Sequence, residues 1–342
     1  MHYEFTPPHP CKRSISDKEA QRINWIDWAK AIGIYLVVTG HAHHNHADVV
    51  PMIFMIHMPL FFVVSGYLFK TDKSLREITA RNIKGLVIPY FLYNIITSIY
   101  WLAIGGLKYC LNQPFEWDSC VIQPAINTLH GYSLGSFDGP TWFLLALVWC
   151  KYLCWMLHRG NKAVQIVTVA VWGVMLFLRN QTTDLFLFAF DCGMTGFIWF
   201  EAGYAVKKYI RVKELSWWIH TILIVVGTLA CVCVYGRLGM CNYILSKTNG
   251  VVGIAGTAAG LIAFFSMCQM LSNRTPTLVN NVSQASIVIM CLHMPIQSII
   301  QSFIPYQGPE WQTLAVDFML VMLLTAIYPF IKKHAPLLTG GR

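Results

Sequence analysis

Apolar residues run through this chain in blocks of about 20, the length a helix needs to cross the hydrocarbon core of a bilayer. Ten such blocks are legible, at about 24–43, 51–69, 85–105, 140–158, 163–179, 185–206, 216–235, 250–271, 284–304 and 312–331. Trp, Tyr and Phe gather at their ends, as interfacial anchors do. The pattern predicts an all-α, polytopic membrane protein with about ten transmembrane helices. Composition agrees: 56% of the residues are hydrophobic and 12% charged, and the mean hydropathy of +0.51 lies outside the range of soluble domains. No stretch combines the charged lead, short apolar core and small-residue end of a cleavable signal, so the first block is expected to persist as a helix.

The polar stretches between blocks set the organisation. Residues 1–22, with Pro7, Pro8 and Pro10, read as a cytoplasmic lead, 23–333 as one membrane domain, and 334–342 as a cytoplasmic tail. The longest outer connection, about 106–139, is too long for a simple connector and is expected to carry function or cover a site. Within it, "SCVIQPAINTLHGY" suits a short interfacial or re-entrant piece. The run "GVVGIAGTAAGLIAFF" puts small residues at helical spacing, which permits close helix packing.

The net charge of +9 raises the question of nucleic acid, but the placement of the basic residues answers it differently. With the N-terminus inside, inner segments hold Lys12, Arg13, Lys18 and Arg22, then Lys70, Lys73, Arg76, Arg81 and Lys84. They also hold Lys151, Arg159, Lys162, Lys207, Lys208, Arg211, Lys213, Arg274, Lys332, Lys333 and Arg342, against only Lys108, Arg179, Arg237 and Lys247 outside. That asymmetry is the positive-inside pattern, with both termini cytoplasmic, and gives no reason to expect a nucleic-acid partner. The 11 cysteines form no CxxC pairs, so neither a zinc module nor a disulfide framework is indicated. Cys110 and Cys120 flank the long outer connection and are the one pair that an oxidising compartment could join.

Ionisable residues inside a span are expensive and usually face a cavity or a partner. The first span reads "INWIDWAKAIGIYLVVTGH". Asp27 and Lys30 stand at i, i+3 on one face. Lys30 and His41 are separated by three turns plus ~20° and a rise of ~16 Å, so they too share a side. Either this is a buried ion pair with an interfacial histidine, or a working face. His57 in "FMIHMPLFF" lies at a comparable depth beside Pro59; it either satisfies a carbonyl freed by the proline or takes part in chemistry. Arg81 and Lys84 present two cations together at the cytoplasmic start of the third span, for anionic lipid heads or as a clamp for phosphates. Trp142 in "GPTWFLLAL" serves as a belt anchor or as a platform for a sugar ring. His293 in "CLHMPI", Asp191, Glu201 and Asp317 are at least as readily structural. The cluster "HAHHNH" invites a metal, but its histidines at 41, 43, 44 and 46 lack the i, i+4 spacing of helical zinc pairs.

Taken in order, these segments resemble the acyltransferase-3 family of integral membrane O-acyltransferases. "IDWAKAIGIYLVVTGH" resembles the family's opening helix, "FMIHMPLFFVVSGYLFK" its second-helix signature, and "RNIKGLVIPYF" its basic-x-x-basic segment; "TWFLLAL" and "CLHMPI" resemble weaker patterns. The resemblance implies that His41 is the essential histidine, with Asp27 and Lys30 supporting it on the same helix. It implies that Arg81 and Lys84 bind the phosphates of an acyl-CoA co-substrate, most simply acetyl-CoA, with Lys where the family usually has a second Arg. His57, Trp142 and His293 are then expected to face the acceptor, a cell-surface or lipid-linked glycan, in a bacterial cytoplasmic membrane. Membrane lipids are the other expected partners, and no metal is expected. The membrane part is expected to stand as a module without the family's accessory esterase domain. Two rival readings are a polytopic transporter or flippase, which would need inverted repeats that are not seen, and a metal carrier built on the histidine cluster.

Overall fold

The computed structural model describes residues 22–42, 49–131, 136–181, 187–210, 215–238, 250–303 and 310–341. Among them the regular elements are all helical: α1 (Asn24–His41), α2 (Val49–Leu68), α3 (Leu75–Asn82), α4 (Ile88–Cys110), α5 (Gln123–His130) and α6 (Trp142–Arg159). They continue with α7 (Lys162–Gln181), α8 (Phe190–Tyr209), α9 (Trp217–Leu238), α10 (Gly250–Leu271), α11 (Thr277–Phe303) and α12 (Glu310–His334). Among the described residues six helices are long and apolar enough to cross a membrane: Leu75–Cys110, Gly139–Arg159, Trp217–Arg237, Gly250–Leu271, Thr277–Gln301 and Glu310–His334. The other four expected spans coincide with α1, α2, α7 and α8, of 18, 20, 20 and 20 residues. Of these, α1 and α8 carry acids within the helix, Asp27 and then Asp191 and Glu201, and so fall short on apolarity.

Outside a buried apolar core, several helices turn apolar faces outward and polar residues inward. On α9, Ile222, Val225, Val226 and Leu229 are exposed while His220 is buried; on α12, Phe318, Met319, Leu323 and Phe330 are exposed while Asp317 is buried. Apolar faces of that extent are stable when lipid covers them. At the centre, α1 packs against α2, α10, α11 and α12, while α8 packs on α2 and α6. Where α2 crosses α8 the backbones touch: a methyl group on Gly66 would overlap the carbonyl of Phe200, and one on Gly203 would overlap that of Val63. The small-residue run of α10 does what its spacing suggests. Gly256 lies against Val234 and Gly260 against Cys231, so α9 and α10 pack closely.

The described part of the connection at 106–139 is folded, with a π turn at Asp118–Ile122 leading into α5. It is held by a buried polar network around Asn94 on α4. The Asn94 amide donates to the Tyr90 carbonyl at 2.9 Å and to Thr141 Oγ1 at 3.0 Å. Its Oδ1 accepts from Thr128 Oγ1 and from the Asp138 backbone N–H, each at 3.1 Å. Asn94→Leu strands these groups without partners and is expected to cost about 2–4 kcal/mol, read as a fall in thermal midpoint in detergent. Cys110 and Cys120, which flank this connection, are both free thiols, so the pairing open in the sequence is not made. At the other end of the chain, a turn at Pro336–Thr339 docks onto α4, where the Tyr93 hydroxyl donates to the Leu338 carbonyl at 2.8 Å. The stretch read as a tail is therefore packed into the helix bundle.

Candidate active site

Three imidazoles from three helices meet where α1 ends. His41 closes α1; its ring centroid lies 6.2 Å from that of His57 on α2 and 5.3 Å from that of His293 on α11. Phe54 stands edge-on to His41 at 5.5 Å and to His57 at 5.0 Å. The two flanking histidines are built alike, each followed by Met-Pro. His57 Nδ1 donates to the Ile53 carbonyl at 2.8 Å; His293 Nδ1 donates to those of Ile289 and Met290 at 3.1 and 2.8 Å. A carbonyl only accepts, so Nδ1 carries the proton and a neutral ring holds its lone pair on Nε2. Both Nε2 atoms are buried with no hydrogen-bond partner among the described residues. Pro59 would free the carbonyl four residues before it, Met55, whereas His57 bonds Ile53. The proline-satisfying role considered for His57 is thus not the bond it makes; its helical carbonyl fixes the ring's tautomer.

Buried polar contacts hold α1 in register. Asp27 accepts from the Arg22 guanidinium at 3.2 and 3.1 Å and from the Ser283 hydroxyl of α11 at 2.5 Å. At the far end, the Gln297 amide, also on α11, donates to the Val38 carbonyl at 2.9 Å and to Asp317 at 3.0 Å. The sequence offered no sign of Gln297, because glutamine in a span has no motif of its own.

A cavity of about 620 Å³ opens among helix ends rich in basic residues. Its lining holds six cations, Lys30, Lys70, Lys73, Arg81, Lys84 and Lys151, and no carboxylate among the described residues. Local structure explains how the two clamp candidates come together. A capping box between Ser74 and Glu77 starts α3, the Ser74 backbone N–H donating to Glu77 Oε2 at 2.9 Å and the Glu77 N–H to Ser74 Oγ at 3.3 Å. Arg81 falls in the last turn of α3 and Lys84 in the π segment Ile83–Val87 that joins it to α4. Such π turns recur at functional sites. Lys151 reads in the sequence as a topology charge; its place in the lining was missed because α6 meets the cavity only in three dimensions.

The three histidines are not in the cavity lining, but apolar residues of the helices that carry them are: Ile34, Phe61 and Met290. Along their helices His41, His57 and His293 lie seven, four and three residues away, or ~10, ~6 and ~4.5 Å of rise. Trp142, at the head of α6, is only 4% exposed and stands edge-on to Phe143 at 6.2 Å; it packs in the core rather than offering an open ring face. The sequence-nominated residues thus fall into two groups: His41, His57 and His293 at one end, Lys30, Arg81 and Lys84 at the other. Asp27 holds the start of α1, and His43, His44 and His46 lie outside the described residues.

Residues 23–334 match the family model described as an acyltransferase domain, Acyl_transf_3. No curated protein and no solved structure matches the chain significantly. The matched region takes in every residue of both groups, and it leaves out little more than the polar lead and the final turn. The chain is a membrane acyltransferase and belongs to the acyltransferase-3 family.

Proposed function

We propose that this acyltransferase moves an acyl group, most simply acetyl, from cytosolic acyl-CoA to a hydroxyl of a cell-surface or lipid-linked glycan. The observation that carries the reading is the cavity lined by six cations and, among the described residues, no carboxylate, which shares α1, α2 and α11 with the three histidines. A CoA thioester is divided in the same way: a diphosphate and a ribose phosphate at one end, a slender pantetheine arm, and the reactive carbonyl at the other. Arg81 and Lys84 bind the phosphates, Arg with its planar fork and Lys as a point charge. Lys30, Lys70, Lys73 and Lys151 supply the remaining positive field. The ten-helix arrangement with both termini in the cytoplasm of a bacterial inner membrane completes this reading, since it sets the cations on the side where acyl-CoA is made.

In the transfer, the acceptor hydroxyl oxygen attacks the thioester carbonyl. The C–O ester bond forms and the C–S bond breaks. His41 takes the hydroxyl proton as general base and returns it to the departing thiolate, leaving free CoA. Acyl transfer through the His41 nitrogen is the covalent version of the same role. His57 and His293, each with a lone pair fixed on Nε2, accept hydroxyl protons and so orient the acceptor or His41.

Reversing both clamp charges tests the donor site. Arg81→Glu combined with Lys84→Glu removes two charge-assisted contacts of about 1.5–3 kcal/mol each and is expected to raise the KM for acetyl-CoA by about 100-fold or more. Added salt should weaken donor binding to the wild type more than to the reversed variant. An unchanged donor requirement would remove the clamp from the account.

A further inference from the structure

Away from the cavity lining, α6 and α8 bring together a second set of ligating side chains. The Sγ of Cys154, Nε2 of His158 and a carboxylate oxygen of Glu201 all lie within 4.8 Å of one another. Cys154 and His158 stand at i, i+4 on α6, on one face with ~6 Å of rise between them. Glu201 approaches from α8, its Oε1 at 2.6 Å from His158 Nε2. Its Oε2 is buried with no hydrogen-bond partner among the described residues. The His158 ring lies against Tyr204 with centroids 4.4 Å apart, which fixes its plane. Cys154 is fully buried, whereas the His158 and Glu201 side chains keep 19% and 25% of their surface, enough for a hydrated ion to enter.

We infer that Cys154, His158 and Glu201 form a zinc site that clasps α6 to α8, distinct from the acyl-transfer centre. Thiolate, imidazole and carboxylate are the ligand types zinc takes, and three protein ligands leave a fourth tetrahedral position for water. With Zn–N and Zn–O near 2.0–2.2 Å and Zn–S near 2.3 Å, neighbouring ligand atoms sit about 3.3–3.6 Å apart. The His158–Glu201 contact therefore has to open by less than about 1 Å. The charge balance favours the ion. One Zn²⁺ replaces the thiol proton and the proton held between His158 Nε2 and Glu201, and with thiolate, carboxylate and neutral imidazole the site carries no net charge, which suits a membrane-embedded position. The sequence hid the site because two ligands share a span without a CxxC or HxxxH signature and the third lies on another helix.

The test uses the purified full chain in detergent, stripped with a chelator and titrated with Co²⁺ or Zn²⁺ alone. About one ion per chain should bind, and Co²⁺ should give a thiolate-to-cobalt charge-transfer band in the near ultraviolet. Cys154→Ser, close to the same size, should abolish the band, and Glu201→Gln should lower Zn²⁺ affinity by more than the roughly 10–100-fold that loss of an outer partner costs. The Glu201→Gln measurement decides the matter if Cys154→Ser does not fold. Absence of the band in the wild type, its survival in Cys154→Ser, or unchanged affinity in Glu201→Gln would each overturn the site.

Discussion

His41→Ala is expected to lower acyl transfer from acetyl-CoA by about 10²–10⁴-fold, the contribution of a positioned general base. At 1.36 kcal/mol per decade this is about 3–5 kcal/mol of transition-state stabilisation. The loss should fall on kcat, with the KM for the donor nearly unchanged, because the cavity cations lie about three helical turns from the imidazole. His57→Gln and His293→Gln keep a side chain of similar reach but lose the nitrogen lone pair. Each is expected to cost less than His41→Ala, since only His41 stands between the other two rings. Undiminished transfer by purified His41→Ala protein would sink the assigned role.

Gly66→Ala is expected to be the most damaging single methyl group that can be added to the fold. The new carbon would overlap the Phe200 carbonyl, and both the obstacle and its support are helical backbone. A side chain could rotate away, but here α2 and α8 must part along their whole crossing. Overpacking against movable side chains costs about 1–3 kcal/mol, so a backbone clash of this kind should exceed about 3 kcal/mol. The expected result is loss of the monodisperse species in size-exclusion chromatography. Gly203→Ala acts on the same crossing from the other helix, against Val63. The double variant should therefore be little worse than either single one. A Gly66→Ala protein that melts like the wild type would show that the two helices do not approach as described.

The apolar blocks were legible because a bilayer sets the length of a spanning helix; each block has a helix in its place, and among the described residues six helices are long and apolar enough to cross a membrane. Much of the candidate site was legible too. His41, Lys30, Arg81 and Lys84 stand out as ionisable groups in or beside spans, where each needs a reason. What the sequence withheld is which helices meet. Nothing in "CLHMPI" says that α11 carries its histidine to within 5.3 Å of His41, although its likeness to "IHMPLF" of α2 hints at a shared geometry. Lys151 passed for a topology charge and Gln297 for an ordinary polar residue until their neighbours were known. Trp142 read in the sequence as a belt anchor or a sugar platform; the structure buries its ring at the head of α6. The spacing of "RNIK" correctly brought two cations together, while the π turn that carries Lys84 was not readable from residue types.

The central claim is that the cationic cavity and the histidine cluster are the two ends of one acyl-transfer path. Membrane vesicles carrying the wild-type chain, or His41→Ala, supplied with radiolabelled acetyl-CoA on the cytoplasmic face, test it most directly. The expected result is ester-linked label on membrane-associated glycan with the wild type, seen by mass spectrometry as added acetyl units, and almost none with His41→Ala. Equal labelling by the two proteins, or solute flux across the vesicle that needs no acyl-CoA, would contradict it.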